Sequence, residues 1–210
     1  MAHVHDHDAH AHQAHHEHEP HEHHAHGQPL DYADAVRAFR ADKDAHFRSN
    51  PHSPIPAAER EGFEGLPYFD VAESLAFEGL SLEPYAGTEP AAFQIPTSDG
   101  KLRPAERAGT FTFEVDGTAC RLTAYVFEGG DTSAVFVPFL DRTSGAETYG
   151  AGRYLDLEVE DDGTYALDFN LAYHPSCVYD ARFSCPLTPA ENRLPVRIEA
   201  GEKLAPGANA

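Results

Sequence analysis

The sequence predicts a mainly β fold: an antiparallel β-barrel or sandwich with an N-terminal helix, preceded by a disordered His-rich tail. Three observations predict it. The first 27 residues are low-complexity His, Ala, Glu and Asp; a single segment of helical apolar period follows; and from about Leu75 short apolar-alternating runs are separated by Gly, Asp and Pro. The 210-residue length suits one domain, or at most two small ones. The divisions fall at 1–27 for the tail, 28–73 for the helix and Pro-rich lead-in, 74–204 for the antiparallel β domain and 205–210 for a flexible C-terminus.

In the tail, Met1 and Val4 are the only larger apolar residues. Such a segment cannot bury enough surface to offset the entropy of ordering it, so disorder is expected without metal. Gly27-Gln28-Pro29 marks the boundary, and Asp31 is placed to cap a helix. Tyr32, Val36, Phe39 and Phe47, with Ala35, lie near one helical face, while Arg37, Arg40, Asp44 and Arg48 fall on others. Asn50-Pro51 ends the helix, because a residue before proline disfavours helical backbone. Pro54 and Pro56 then lead to a short helical turn expected at 57–61.

Two hairpins can be read with register. Asp116-Gly117 suits a two-residue turn, which pairs Val115 with Thr118, Phe113 with Cys120 and Phe111 with Leu122. Phe111, Phe113, Val115, Cys120, Leu122, Ala124 and Val126 then share one core face, with Cys120 a small buried hydrophobe. In the second hairpin, a three-residue Asp161-Asp162-Gly163 loop aligns Val159 with Tyr165, Leu157 with Leu167 and Leu155 with Phe169. A two-residue turn would instead mix apolar and polar side chains on one face. The three-residue register puts Asp168 and Asn170 beside Tyr154 and Asp156 on the opposite face. Further strands are expected at 75–83, 91–96, 134–140 and 194–199.

The charge balance excludes several classes. The chain carries 35 acidic and 15 basic residues, a formal net charge of −20 with histidine neutral. So acidic a surface repels phosphate backbones and anionic membranes, and neither nucleic acid nor membrane is an expected partner. The longest mainly apolar run, Ala134 to Leu140, is far too short for a bilayer. With no Sec-type leader pattern and an odd cysteine count of 3, a cytoplasmic protein is expected.

The strongest chemical signal is the tail. His3, His5, His7, His10, His12, His15, His16, His18, His21, His23, His24 and His26 interleave with Asp6, Asp8, Glu17, Glu19 and Glu22. Neutral imidazole ligates Zn, Ni, Cu and Co, and nearby carboxylates add oxygen ligands and negative potential. The irregular spacing enforces no single geometry. The expected function is binding or buffering of divalent Zn or Ni, or its delivery to a metal-requiring protein, with affinity falling as pH drops through about 6.5.

The second chemical concentration lies between Asp141 and Glu202. It contains the run Thr143-Ser144-Gly145-x-Glu147-Thr148-Tyr149-Gly150-Ala151-Gly152-Arg153-Tyr154. Asp168-Phe169-Asn170-x-Ala172-Tyr173-x-Pro175-x-Cys177 and Cys185-Pro186-Leu187-x-Pro189-x-Glu191-Asn192-Arg193-Leu194-Pro195 follow. On these motifs, across roughly residues 31–204, the chain resembles the prokaryotic domain of unknown function 1684 family. That family's pattern has Asn-Pro-Pro-Cys where this chain has His174-Pro175-Ser176-Cys177. The resemblance implies a fold neighbourhood and no reaction.

Two readings of this block stay open. In one, Glu147, Tyr149, Arg153, Asp168, Asn170, Tyr173, Glu191 and Asn192 form a pocket at one barrel mouth, for a small polar ligand or hydrolytic acid–base chemistry. In the other, the arginine and carboxylates clamp a Pro-rich loop whose backbone lacks ladder partners. His174, Cys177 and Cys185 are weaker candidates for a metal site or a disulfide, with two reduced cysteines the default. Their spacing matches no standard zinc module. No catalytic motif is found: Gly150-Ala151-Gly152 lacks a third glycine and precedes a strand, and there is no P-loop, Gly-x-Ser-x-Gly or His-Glu-x-x-His. No cofactor is expected in the β domain.

Overall fold

A computed structural model describes residues 30–129 and 133–207 of the chain. The expected disorder of the tail lies outside these residues, as does the end of the expected flexible C-terminus. Among the described residues the elements are helix α1 (Tyr32–Ser49) and eight strands. The strands are β1 (Ala76–Leu80), β2 (Glu83–Pro84), β3 (Ala92–Pro96), β4 (Leu102–Val115), β5 (Thr118–Phe127), β6 (Ala134–Phe139), β7 (Arg153–Glu158) and β8 (Tyr165–Asp168). No described helix is long and apolar enough to cross a membrane.

The cap of α1 is the expected one: the Asp31 carboxylate accepts from the Asp34 N–H at 2.8 Å, and Asn50 ends the helix in extended backbone. The packed face differs in its chemistry. Val36 and Arg40 are its buried residues, whereas Phe39 is 46% exposed. Arg40 and Asp44, expected on other faces, both reach the domain. The Arg40 guanidinium donates to the carbonyls of Phe69 (2.9 Å) and Asn170 (3.3 Å), and the Asp44 carboxylate accepts from Leu66 N–H (3.0 Å). These polar anchors outweigh a phenyl ring in choosing the face, because the loop carbonyls and the loop N–H they satisfy have no strand partner. The helical turn expected at 57–61 is a 3₁₀ turn at Arg60–Gly62.

Strands β2, β4, β5, β6 and β7 follow one another in one antiparallel sheet, and β3 joins it by pairing with β4. The β4–β5 hairpin has the predicted register, Val115 to Thr118, Phe113 to Cys120 and Phe111 to Leu122. Its turn places Asp116 and Gly117 at φ 48° and 75°, the doubly positive pair that a two-residue hairpin turn requires. The predicted core stripe is buried from Phe111 to Ala124, Cys120 included at 1% exposure, and Val126 packs against it. Strand β4 begins nine residues before the stripe and bulges between Arg107 and Gly109, where the register shifts.

The sheet does not close into a barrel. Strand β8 pairs with β1 as a separate two-stranded layer, Phe77 opposite Leu167, and packs over the sheet as in a sandwich. Leu167 and Phe169 thereby enter the main core with Phe111, Val137, Leu155 and Ile198. This corrects the second hairpin. Its loop forms, with Glu160 N–H donating to Thr164 O at 2.9 Å and a bridge from Val159 to Tyr165. The pairs Leu157 to Leu167 and Leu155 to Phe169 do not form: β7 is laddered to β6 from Ala134–Glu158 to Phe139–Arg153, and β8 is laddered to β1. Tyr154 instead exchanges backbone bonds with Tyr173 (2.9 and 3.1 Å). The strand expected at 194–199 is absent; the segment runs instead beside the residues after β6, with Leu194 N–H donating to Leu140 O at 2.7 Å and Arg142 N–H to Val196 O at 2.9 Å.

Candidate functional site

The polar residues of the C-terminal block divide among separate hydrogen-bond groups. Arg153, at the start of β7, is fully buried. Its guanidinium donates to the carbonyls of Ile198 (2.8 Å), Glu202 (3.1 Å) and Ala200, and lies 3.6 Å from Asp141. Asp141 accepts from the N–H of Ile198 at 2.7 Å. Burial lowers the Arg153 pKa to about 10, opposed by Asp141 and Glu202, so it stays charged near neutrality. Its hydrogen bonds and ion pair go to the chain's own backbone and to Asp141. Residue 198 therefore needs no strand partner: a side-chain pair satisfies its N–H and its C=O.

Asn192 does the same between strands. Its amide donates to Thr123 O (2.8 Å) and Pro138 O (2.7 Å) and accepts from Thr123 N–H (2.8 Å). Strands β5 and β6 share one ladder pair, Tyr125 with Phe136, and Asn192 fills the gap where they diverge. Asp168 and Asn170 dock the helix. Tyr32 donates to Asp168 at 2.8 Å, and the Asn170 amide reaches Asp168, the Tyr32 hydroxyl and both backbone groups of Ala72. Tyr173 donates to Asp156, and Glu147 pairs with Arg197 on the surface.

A further group surrounds Glu202, which is 1% exposed. Its carboxylate accepts from the His174 N–H (2.7 Å) and the Tyr179 hydroxyl (2.6 Å) and pairs with Lys43 of α1 at 2.6 Å. The His174 ring Nε2 accepts from the Tyr149 N–H at 3.2 Å. That bond makes Nε2 the acceptor, and in the neutral ring Nδ1 then carries the proton. Burial, with Arg153 and Lys43 nearby, lowers the His174 pKa to about 3, so the ring is neutral. Cys177 and Cys185 are free thiols. Among the described residues no three His, Cys, Asp or Glu side chains gather to hold a metal ion.

Of the eight expected pocket residues, Glu191 lines an open cavity. About 470 Å³ lies between the 83–89 segment and the polar face of β4 and β5, bounded by Tyr85, Arg107, Thr110, Arg121, Thr123 and Glu191. Arg107 is held at Glu191 by contacts of 2.9 Å (Nε) and 2.8 Å (Nη2), and Tyr125 donates to the same oxygen at 3.0 Å. The guanidinium also stacks 4.0 Å from the Phe93 ring centroid. Burial works against ionisation of Glu191. Hydrogen bonds from its own backbone, Arg107 and Tyr125 outweigh that and hold its carboxyl below the usual value. A carboxylate so held cannot donate a proton near neutrality; it can anchor a hydroxyl or a cation. Arg107, Tyr125 and Arg121 were missed from the sequence. The signal was in the β4–β5 register: Thr110 opposite Thr123 and Thr112 opposite Arg121 form its polar face, and the bulge then sets Arg107 opposite Tyr125.

Over residues 61–203 the chain matches the model of a family described as protein of unknown function (DUF1684). It is similar to the solution NMR structure of an uncharacterized protein from Haloarcula marismortui. The TM-score is 0.61 and the identity 35%, covering 83% of this chain and 95% of that one. No curated protein matches it.

Proposed function

The chain belongs to the family described as protein of unknown function (DUF1684), and from that premise, which leaves the reaction open, we propose that it binds divalent transition metals, zinc or nickel, through residues 1–26. The observation that carries this reading is the packing of twelve imidazoles and five carboxylates into those residues, without one Lys or Arg. Such donors suit borderline cations, and their number allows several ions to be held at once. The described residues offer no rival cluster of metal-ligating side chains. Buffering, or delivery to a metal-requiring protein, follows from joining that donor set to a folded domain.

Titration calorimetry with zinc and nickel on the full chain and on a chain lacking residues 1–26 tests the proposal. Strong heats are expected from the full chain near neutral pH, and none above dilution from the truncated one. They should fade as pH drops through about 6.5, where protons compete for the rings. Equal heats from both chains would overturn it. The Arg107–Glu191 cavity favours a second reading, in which the domain binds a small polar, hydroxyl-bearing ligand.

A further inference from the structure

Two cysteines separated by seven residues in sequence meet in the loop after β8. The Cys177 N–H donates to the Cys185 sulfur at 3.3 Å, which brings the two residues side by side. Both residues are held from the backbone. Cys185 accepts from Ser98 N–H at 2.8 Å and donates to the Ser98 hydroxyl at 3.0 Å, which ties it to the β3–β4 turn. Cys177 sits in the 3₁₀ turn Ser176–Val178, closed by Val178 N–H to Pro175 O at 2.9 Å. The third thiol, Cys120, is elsewhere in the core and donates to Thr118 O.

We infer that Cys177 and Cys185 are a thiol pair that closes to a reversible intramolecular disulfide on reaction with a low-molecular-weight disulfide such as oxidised glutathione. Cys177 is half-buried and Cys185 only 7% exposed, so the Cys177 thiolate attacks first. One S–S bond of the reagent breaks, a mixed disulfide forms at Cys177, and one reagent thiol leaves. The Cys185 thiolate then attacks the Cys177 sulfur and expels the second reagent thiol, each leaving thiolate taking up a proton released by a cysteine. The protein loses two hydrogens and the reagent gains them. Burial pushes the Cys185 thiol up to about 11, so the closing step accelerates with rising pH. The product fastens residues 178–184, which carry the exposed Phe183 and the Tyr179 that bonds Glu202.

The test is incubation of the full chain with oxidised glutathione and a chelator at mildly alkaline pH, followed by mass spectrometry and non-reducing peptide mapping. The expected result is a mass lower by two hydrogens, a Cys177–Cys185 cross-link and a free Cys120. The melting temperature should rise by about 5 °C, from loss of chain entropy in the unfolded state, and dithiothreitol should reverse it. Cys185→Ser should instead keep a glutathione adduct at Cys177 and show no such rise. A wild-type chain that retains the adduct at Cys177 beside a free Cys185, or that keeps both thiols, overturns the inference. Because the wild-type map decides this alone, a poorly folding variant does not obscure it.

Discussion

At the scale of single residues, the buried polar groups work mostly as substitutes for missing backbone partners. Arg153 shows this best, since its guanidinium serves three carbonyls of a segment that has no ladder. Arg153→Met should cost about 3 to 5 kcal/mol in urea unfolding, because the carbonyls and Asp141 stay buried while their donor is gone. His174 makes a pH prediction. Its folded-state pKa is about 3 and its unfolded value about 6.5, so between those limits the unfolded chain holds the extra proton. This contribution is whole above about pH 6.5 and is lost as pH falls towards 3, with a slope approaching 1.4 kcal/mol per unit, approximately. His174→Asn, an uncharged replacement, should flatten that slope. Comparing urea midpoints of the two chains at about pH 7 and about pH 5 checks it, since carboxylates common to both cancel. The sequence marked Arg153, Asn170, Glu191 and Asn192 as residues to watch but not what each touches. Most of their partners lie tens of residues away, from 45 positions for Arg153 and Ile198 to 138 for Asn170 and Tyr32.

At the scale of elements, legibility depended on how local the deciding contact was. The β4–β5 register was readable because a two-residue turn fixes it, and the turn is written in adjacent letters. In the β7–β8 pair the loop was equally readable and the ladder was not, because β6 and β1 take the two strands as partners. Arg40 of α1 went to the wrong face for a related reason: its loop-carbonyl acceptors carry no periodic signal. The Gly150–Gly152 run, which fails as a nucleotide loop, has a steric role instead. Gly152 has φ +104°, and a Cβ there would meet the Phe139 carbonyl oxygen at 2.5 Å as well as the Thr188 hydroxyl. Gly152→Ala should therefore destabilise by about 3 kcal/mol, as thermal or urea unfolding would show.

At the scale of the whole molecule, the donor-rich N-terminal segment and the sandwich domain are separate sources of chemistry. Removing residues 1–26 should leave the metal-free melting temperature within about 1 °C, because the core clusters are built entirely from residues beyond position 70. A larger fall in differential scanning calorimetry would show that the segment supports the domain. Composition and local pattern by themselves determined the acidic character, the histidine–carboxylate segment, the single helix with its cap, the β4–β5 hairpin with its core face, and the motifs that mark the family. Each is set by neighbours a few residues apart or by a sum over the chain. Only the tertiary structure decided that the sheet stays open, that β8 leaves it for β1, and that the C-terminal polar block separates into clamps, with Glu191 beside Arg107 at a cavity. Those outcomes turn on which distant backbone groups find partners, and a buried N–H or carbonyl accepts whichever donor or acceptor the packed chain delivers.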